Sequence, residues 1–207
     1  MFVPEPDFSV YNSKKVFRLD NITQTKYGAG TAAMPQWFIA FANGGNKAVE
    51  QINSYADKYV FIVSSEGDNF TALNKWSENF RAERDLAVYA AARIEERMIS
   101  SAVLFPDDEY GQFFEILVKM AYNAEYSGAA IEETYWIKKN ISDEPESIRF
   151  TSVSGEVYYF FILITINKNT MQTIIKKMID QANTSTQARG SQRISVNRLQ
   201  QSFFEGF

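Results

Sequence analysis

From Glu156 to Ile166 the chain reads EVYYFFILITI, an apolar run with no proline or glycine in it. It is too short to cross a bilayer as a helix, which needs about 20 apolar residues. Its β-branched and aromatic side chains make it a strand. Both its odd and its even positions are apolar, so both faces need cover, and the strand takes a central place in a sheet. Lys58–Ser65 (KYVFIVSS) is a second buried strand of the same kind. Ile131–Lys139 is strand-like, but Ile131, Glu133, Tyr135 and Ile137 alternate with Glu132, Thr134, Trp136 and Lys138, which leaves the inner face open. Ile148–Val153 and the turn Ser154-Gly155-Glu156 complete an expected antiparallel meander.

Helical spacing appears in three places. Across Asn69–Ser101, Leu73, Trp76, Phe80, Ala87, Ala90, Ala91, Ile94 and Met98 fall on one stripe, with no proline or glycine to interrupt it. The stretch reads as one long helix, capped by Asp68 or Asn69, with a sheet against its small alanine half. Pro106-Asp107-Asp108-Glu109 opens a second helix, whose acidic start suits the helix dipole. Its buried stripe is Phe113, Ile116, Leu117, Met120, Ala121 and Ala124, and Gly128 is its C-terminal cap. Asn169 or Thr170 caps a third helix with the stripe Met171, Ile174, Ile175, Met178, Ile179 and Ala182.

The remainder is less patterned. A short strand is expected around Lys15–Leu19, loop over Asn21–Ala33, and a turn at Asn43-Gly44-Gly45-Asn46 after the apolar Phe38–Phe41. Residues 183–207 are polar until Leu199, Phe203, Phe204 and Phe207, an aromatic cluster fit to dock on the domain or on a partner. The expected organisation is an N-terminal arm (1–33), one α+β domain (34–182) and a tail (183–207). In the domain, a mixed or mostly antiparallel sheet of about four or five strands carries the long helix and two others.

Chemistry is bounded chiefly by what the chain lacks. It has no histidine and no cysteine, so disulfides, thiolate or imidazole metal sites and histidine bases are excluded. Net charge is −4 with no basic block, which argues against nucleic acid as a partner. No cofactor or metal motif is present. Glu66-Gly67-Asp68, between a strand and a helix, has two carboxylates where a phosphate cradle would need a lysine, so it reads as a turn. Glu83 falls on the apolar side of the long stripe, a candidate buried acid or a structural ion pair. Glu132 and Glu133 are adjacent on a strand and should point apart.

Pro35 and Trp37, the strand Tyr59–Gly67, the helix with Ala87, Ala91 and Ile94, the aromatic Tyr135-Trp136-Ile137 and the strand Val157–Lys168 come in an order that resembles the LPP-twenty lipoprotein family and the amino-terminal domain of the flagellar assembly protein FlgT. The likeness spans about residues 34–182. It departs in a long insertion between Trp37 and Tyr59 and in the absence of a lipid-accepting cysteine. The resemblance implies a bacterial envelope protein of the periplasm or the inner-leaflet side of the outer membrane. It would be structural or scaffolding, not enzymatic, act on an envelope protein or on itself, and be anchored, if at all, through a removed lipidated leader. The competing expectation is a small-ligand binder or hydrolase using Glu66, Asp68 and Glu83.

Overall fold

The computed structural model describes residues 17–29, 34–102, 108–140 and 155–185. Among the described residues the fold is α+β, with five helices and a five-stranded antiparallel sheet. The elements are β1 (Ile22–Thr25), β2 (Gly28–Ala29), α1 (Gln36–Glu50), a 3-10 turn at Asn53–Tyr55, β3 (Lys58–Gly67), α2 (Phe70–Asn79), α3 (Ala82–Ala102), α4 (Asp108–Tyr122), β4 (Ala130–Asn140), β5 (Glu156–Asn167) and α5 (Lys168–Ser185). The described residues form two compact units. One draws on the stretches Asn12–Phe80 and Ala130–Thr165, the other on Arg81–Ala129 and Ile166–Phe207. The expected 34–182 domain contributes to both.

In the first unit the sheet order is β2-β1-β4-β5-β3. β5 lies between β4 and β3, the interior place its two apolar faces require. One face packs under α1. Its core is Trp37, Phe38 and Val49 of α1, Val60 and Ile62 of β3, Tyr135 and Ile137 of β4, and Phe161 and Leu163 of β5. Ring pairs bind this layer: Phe38 meets both Tyr135 and Phe161 at 4.8 Å between centroids, and such tilted contacts add to area burial. On the opposite face Phe70 of α2 stands edge-on to Trp136, Tyr158 and Phe160, each at 5.2 Å.

Several expectations need correcting. The arm contributes strands: β1 pairs with β4, and Thr25 pairs with Gly28 across a two-residue turn, whereas 21–33 reads as loop. No strand forms over Phe17–Leu19. The apolar 38–41 run is the first part of helix α1, and Asn43–Asn46 does not end it. The helix kinks there, where Gly44 (φ −154°, ψ 17°) and Gly45 (φ 67°, ψ −162°) leave helical geometry. Gly45 has a backbone conformation that side chains other than hydrogen strain.

The long helix is two helices. Phe80 is extended (φ −64°, ψ 134°) and its N–H closes α2 on Ser77. α3 restarts at once, because Asp85 accepts the Arg81 N–H at 2.7 Å and supplies an acceptor for a donor the helix start leaves free. Trp76 and Phe80 therefore belong to one unit, and Ala87, Ala90, Ala91 and Ile94 to the other. Asn69, not Asp68, caps α2, accepting the Ala72 N–H at 3.0 Å.

In the second unit α3 lies along α4 and α4 along α5. The buried residues are Leu86, Ala87, Ala90, Ala91 and Ile94 of α3, Phe113, Leu117 and Ala121 of α4, and Met171, Ile175, Met178, Ile179 and Ala182 of α5. Asn167, not Asn169 or Thr170, caps α5 by accepting the Asn169 N–H at 2.9 Å. Gly128 does not cap α4, which ends at Tyr122. It sits in the following loop at φ +90°. The expected strand Ile148–Val153 and the cluster Leu199, Phe203, Phe204 and Phe207 lie outside the described residues.

Candidate functional site

The expected acids are all at the surface. Glu66 and Asp68 are exposed at the end of β3. Glu83 is exposed rather than buried, because the helix break at Phe80 resets the wheel on which it faced inward. It works as a clasp within the helical unit. Its carboxylate accepts the Gly128 N–H at 2.9 Å and its carbonyl accepts the Tyr126 N–H at 3.0 Å. Tyr126 is fully buried and donates its hydroxyl to the Ala121 carbonyl at 3.1 Å. Burial pushes the Tyr126 phenol well above its ordinary range.

The side-chain constellation that the fold does assemble lies at the start of β4. Ala130 pairs with Thr165 and Ile131 with Ile164, but Glu133 pairs with Leu163. Glu132 is an extra residue, a β-bulge. Since Ile164 and Leu163 face opposite ways, Ile131 and Glu133 do too. The bulge turns Glu132 to the side of Thr165, which is also the side of Leu163 and Glu133. Two adjacent glutamates thus share one face of the sheet, where regular alternation would part them.

Each carboxylate is held by named donors. Glu132 accepts Lys58 Nζ at 2.6 Å and the Thr165 hydroxyl at 2.6 Å. The Lys58 hydrogen bond, then that of Thr165, depresses its pKa against the opposing effect of burial. Glu133 accepts the Trp37 indole N–H at 2.7 Å on one oxygen and the Tyr27 hydroxyl on the other. The Glu133 hydrogen bond, with some burial, raises the Tyr27 pKa from 10.0 to about 12. Tyr55 is raised by burial and then by the negative charges of Glu132 and Glu133. Beside them Tyr135 is fully buried, and its ring lies 5.7 Å from that of Tyr27 and 6.0 Å from that of Trp37. Burial first, then the Glu133 charge, raises its pKa, and the Thr25 hydroxyl opposes this. At the far end of the same face Lys139 donates to the Arg18 carbonyl at 2.7 Å and sits over the Phe17 ring.

The arrangement pins two negative charges among phenols, an indole and an ammonium. It ties β1, α1, β3 and β5 to one end of β4. Among the described residues no group of three or more acids could hold a metal ion. A concavity lies in the helical unit. It is an open groove along α4 and α5, lined by Met120, Thr173, Lys176, Lys177, Asp180 and Thr184. No described helix is long and apolar enough to cross a membrane. No family model matches this chain, and neither a curated protein nor a solved structure matches it.

Proposed function

We propose that this chain is a non-catalytic contact module of a bacterial cell envelope, structural or scaffolding in role. The observation that carries the reading is the surface of the helical unit. Ile99 near the end of α3 is 59% exposed and Tyr122 at the end of α4 is 37% exposed. Glu95, one turn before Ile99, lies near enough to Tyr122 that its charge adds to the effect of burial in raising the phenol's pKa. Large apolar side chains exposed on the helices of this unit suit a protein partner. The envelope assignment, and with it attachment through a lipidated leader, rests on the resemblance drawn from Pro35 and Trp37, the alanine-rich helix and the aromatic strand pair.

A photo-crosslinking residue in place of Ile99, in the source cell, tests this. A defined protein adduct in the envelope fraction is the expected result. Absence of any adduct, or a protein found only in the cytosolic fraction, would overturn the reading.

The second reading is a small-ligand binder or hydrolase. Glu66, Asp68 and Glu83 are its expected acids, and they lie apart from Glu132 and Glu133, the pair that the bulge brings to one face of the sheet. Binding or turnover lost in Glu133→Gln with the fold retained would support it.

A further inference from the structure

β3 ends the sheet, with β5 its one neighbour among the described residues. An edge strand of 10 residues offers a row of backbone donors and acceptors to any other strand. Here two of those donors are covered by the chain itself. The Val60 N–H donates to Glu50 Oε1 at 3.0 Å and the Ile62 N–H to Asn46 Oδ1 at 3.3 Å. Amides two apart on a strand point to the same edge, so both belong to the edge away from β5. Asn46 and Glu50 are four apart and lie on one side of the last turn of α1, directly after the Gly44–Gly45 kink.

The covered edge is self-complementary. Place a second β3 antiparallel to the first about a twofold axis through Ile62. Ile62 then faces its own copy as a hydrogen-bonded pair, since its N–H points outward. Val60 faces Ser64, and Lys58, whose ammonium meets Glu132 of its own chain at 2.6 Å, comes opposite Glu66 of the other copy at both ends. Opposite charges directly across a strand pair are favourable, and a twofold contact repeats each pair. A hydrophobic edge strand whose end charges match in this register can pair with a second copy unless something occupies the edge. We infer that the outer edge of β3 is a pairing site for a second copy of this chain, held closed by the side chains of Asn46 and Glu50.

The test uses the full chain, with circular dichroism to confirm folding and light scattering to read mass per particle. The double variant Asn46→Ala/Glu50→Ala should show twice the mass of the native protein at the same concentration. Glu50→Gln, whose side-chain carbonyl still accepts the Val60 N–H, should keep the native mass. Adding Glu66→Lys to the double variant should return it to the native mass, and adding Lys58→Glu as well should restore the dimer. A folded double variant at the native mass overturns the inference. So does association that ignores both charge changes, or that appears equally in Glu50→Gln. If the double variant fails to fold, Glu50→Ala alone decides. It should exchange the Val60 amide hydrogen faster than native and gain mass with concentration, and native mass throughout would overturn the proposal.

Discussion

Removing the Glu133 carboxylate tests whether the bulge site holds the sheet unit together. In Glu133→Ala two donors lose their acceptor, and they are not equal. The Trp37 indole N–H belongs to a side chain only 4% exposed, so water replaces the acceptor poorly, and a stranded buried donor costs about 1–3 kcal/mol. The Tyr27 hydroxyl belongs to a side chain 50% exposed and turns to solvent, for a loss of about 0.5 kcal/mol. The expected total is roughly 1.5–3.5 kcal/mol. Glu133→Gln keeps one oxygen for the indole and loses the charge assistance, which is about half of such a bond's strength, so it should cost about 1 kcal/mol. Tyr27→Phe should cost about 0.5 kcal/mol or less. Urea unfolding followed by both tryptophan fluorescence and far-ultraviolet dichroism measures the three, with coincident transitions as the condition for converting midpoints to free energies. If Glu133→Ala costs no more than Tyr27→Phe, the indole–carboxylate bond does not carry the weight assigned to it, and the account of the site fails.

Other expectations follow from particular residues. Gly45→Ala should destabilise by about 1–3 kcal/mol, since φ 67° with ψ −162° is a region open essentially to glycine; a loss below a few tenths in a urea midpoint series would refute this. Gly128→Ala, at φ +90°, should cost about 1–2 kcal/mol from backbone strain alone, because a Cβ there would meet nothing nearer than Thr170 Cγ2 at 3.7 Å. Leu86→Ala should cost about 2–5 kcal/mol, as Leu86 is fully buried in α3; a smaller thermal shift than in an exposed Ile99→Ala control would be inconsistent with its place. The pH dependence has two signs. The Glu132 pKa is depressed in the fold, so its stabilisation is full above the ordinary value of 4.5 and is lost as pH falls through the folded value, and Lys58→Met should flatten that slope. The Tyr27 pKa is raised from 10.0 to about 12, so its stabilisation is present below 10.0 and is lost as pH climbs toward 12, a slope that Tyr27→Phe should abolish.

What could be read from the chain follows from how local each cause is. β5, β3 and the stripe of α5 announce themselves in side chains a few positions apart, and the structure places them as expected. α1 was hidden because Gly44 and Gly45 look like a terminus. They mark a kink that the helix survives, since Val49 beyond it is still buried in the α1 layer. The break at Phe80 was hidden for the opposite reason. No glycine or proline marks it, and its one legible signal is Asp85 placed to reach back to Arg81. An unbroken stripe through such a break assigns residues to the wrong face, and Glu83 is the casualty.

The paired glutamates show why a site can be less legible than the fold that carries it. Strand alternation sends Glu132 and Glu133 apart, and no property of the two residues contradicts that. What reverses it is one residue of register against β5. The incentive for that shift comes from far along the chain: Trp37 is 96 positions from Glu133, Lys58 is 74 from Glu132, and Thr165 is 33 from it. Without the bulge Glu132 would face the side of Ile164 and Phe160, away from Lys58 and Thr165, and a carboxylate among apolar neighbours is costly. The sheet accepts a local defect in the β4–β5 ladder because both acids then meet donors. Glu132→Val removes that reason, and its variant should pair Ile131 and Glu133 with β5 in continuous alternation, visible as changed cross-strand contacts between Hα protons. Retention of the bulge in that variant would show that the register is set by the β4–β5 backbone itself and not by the acids.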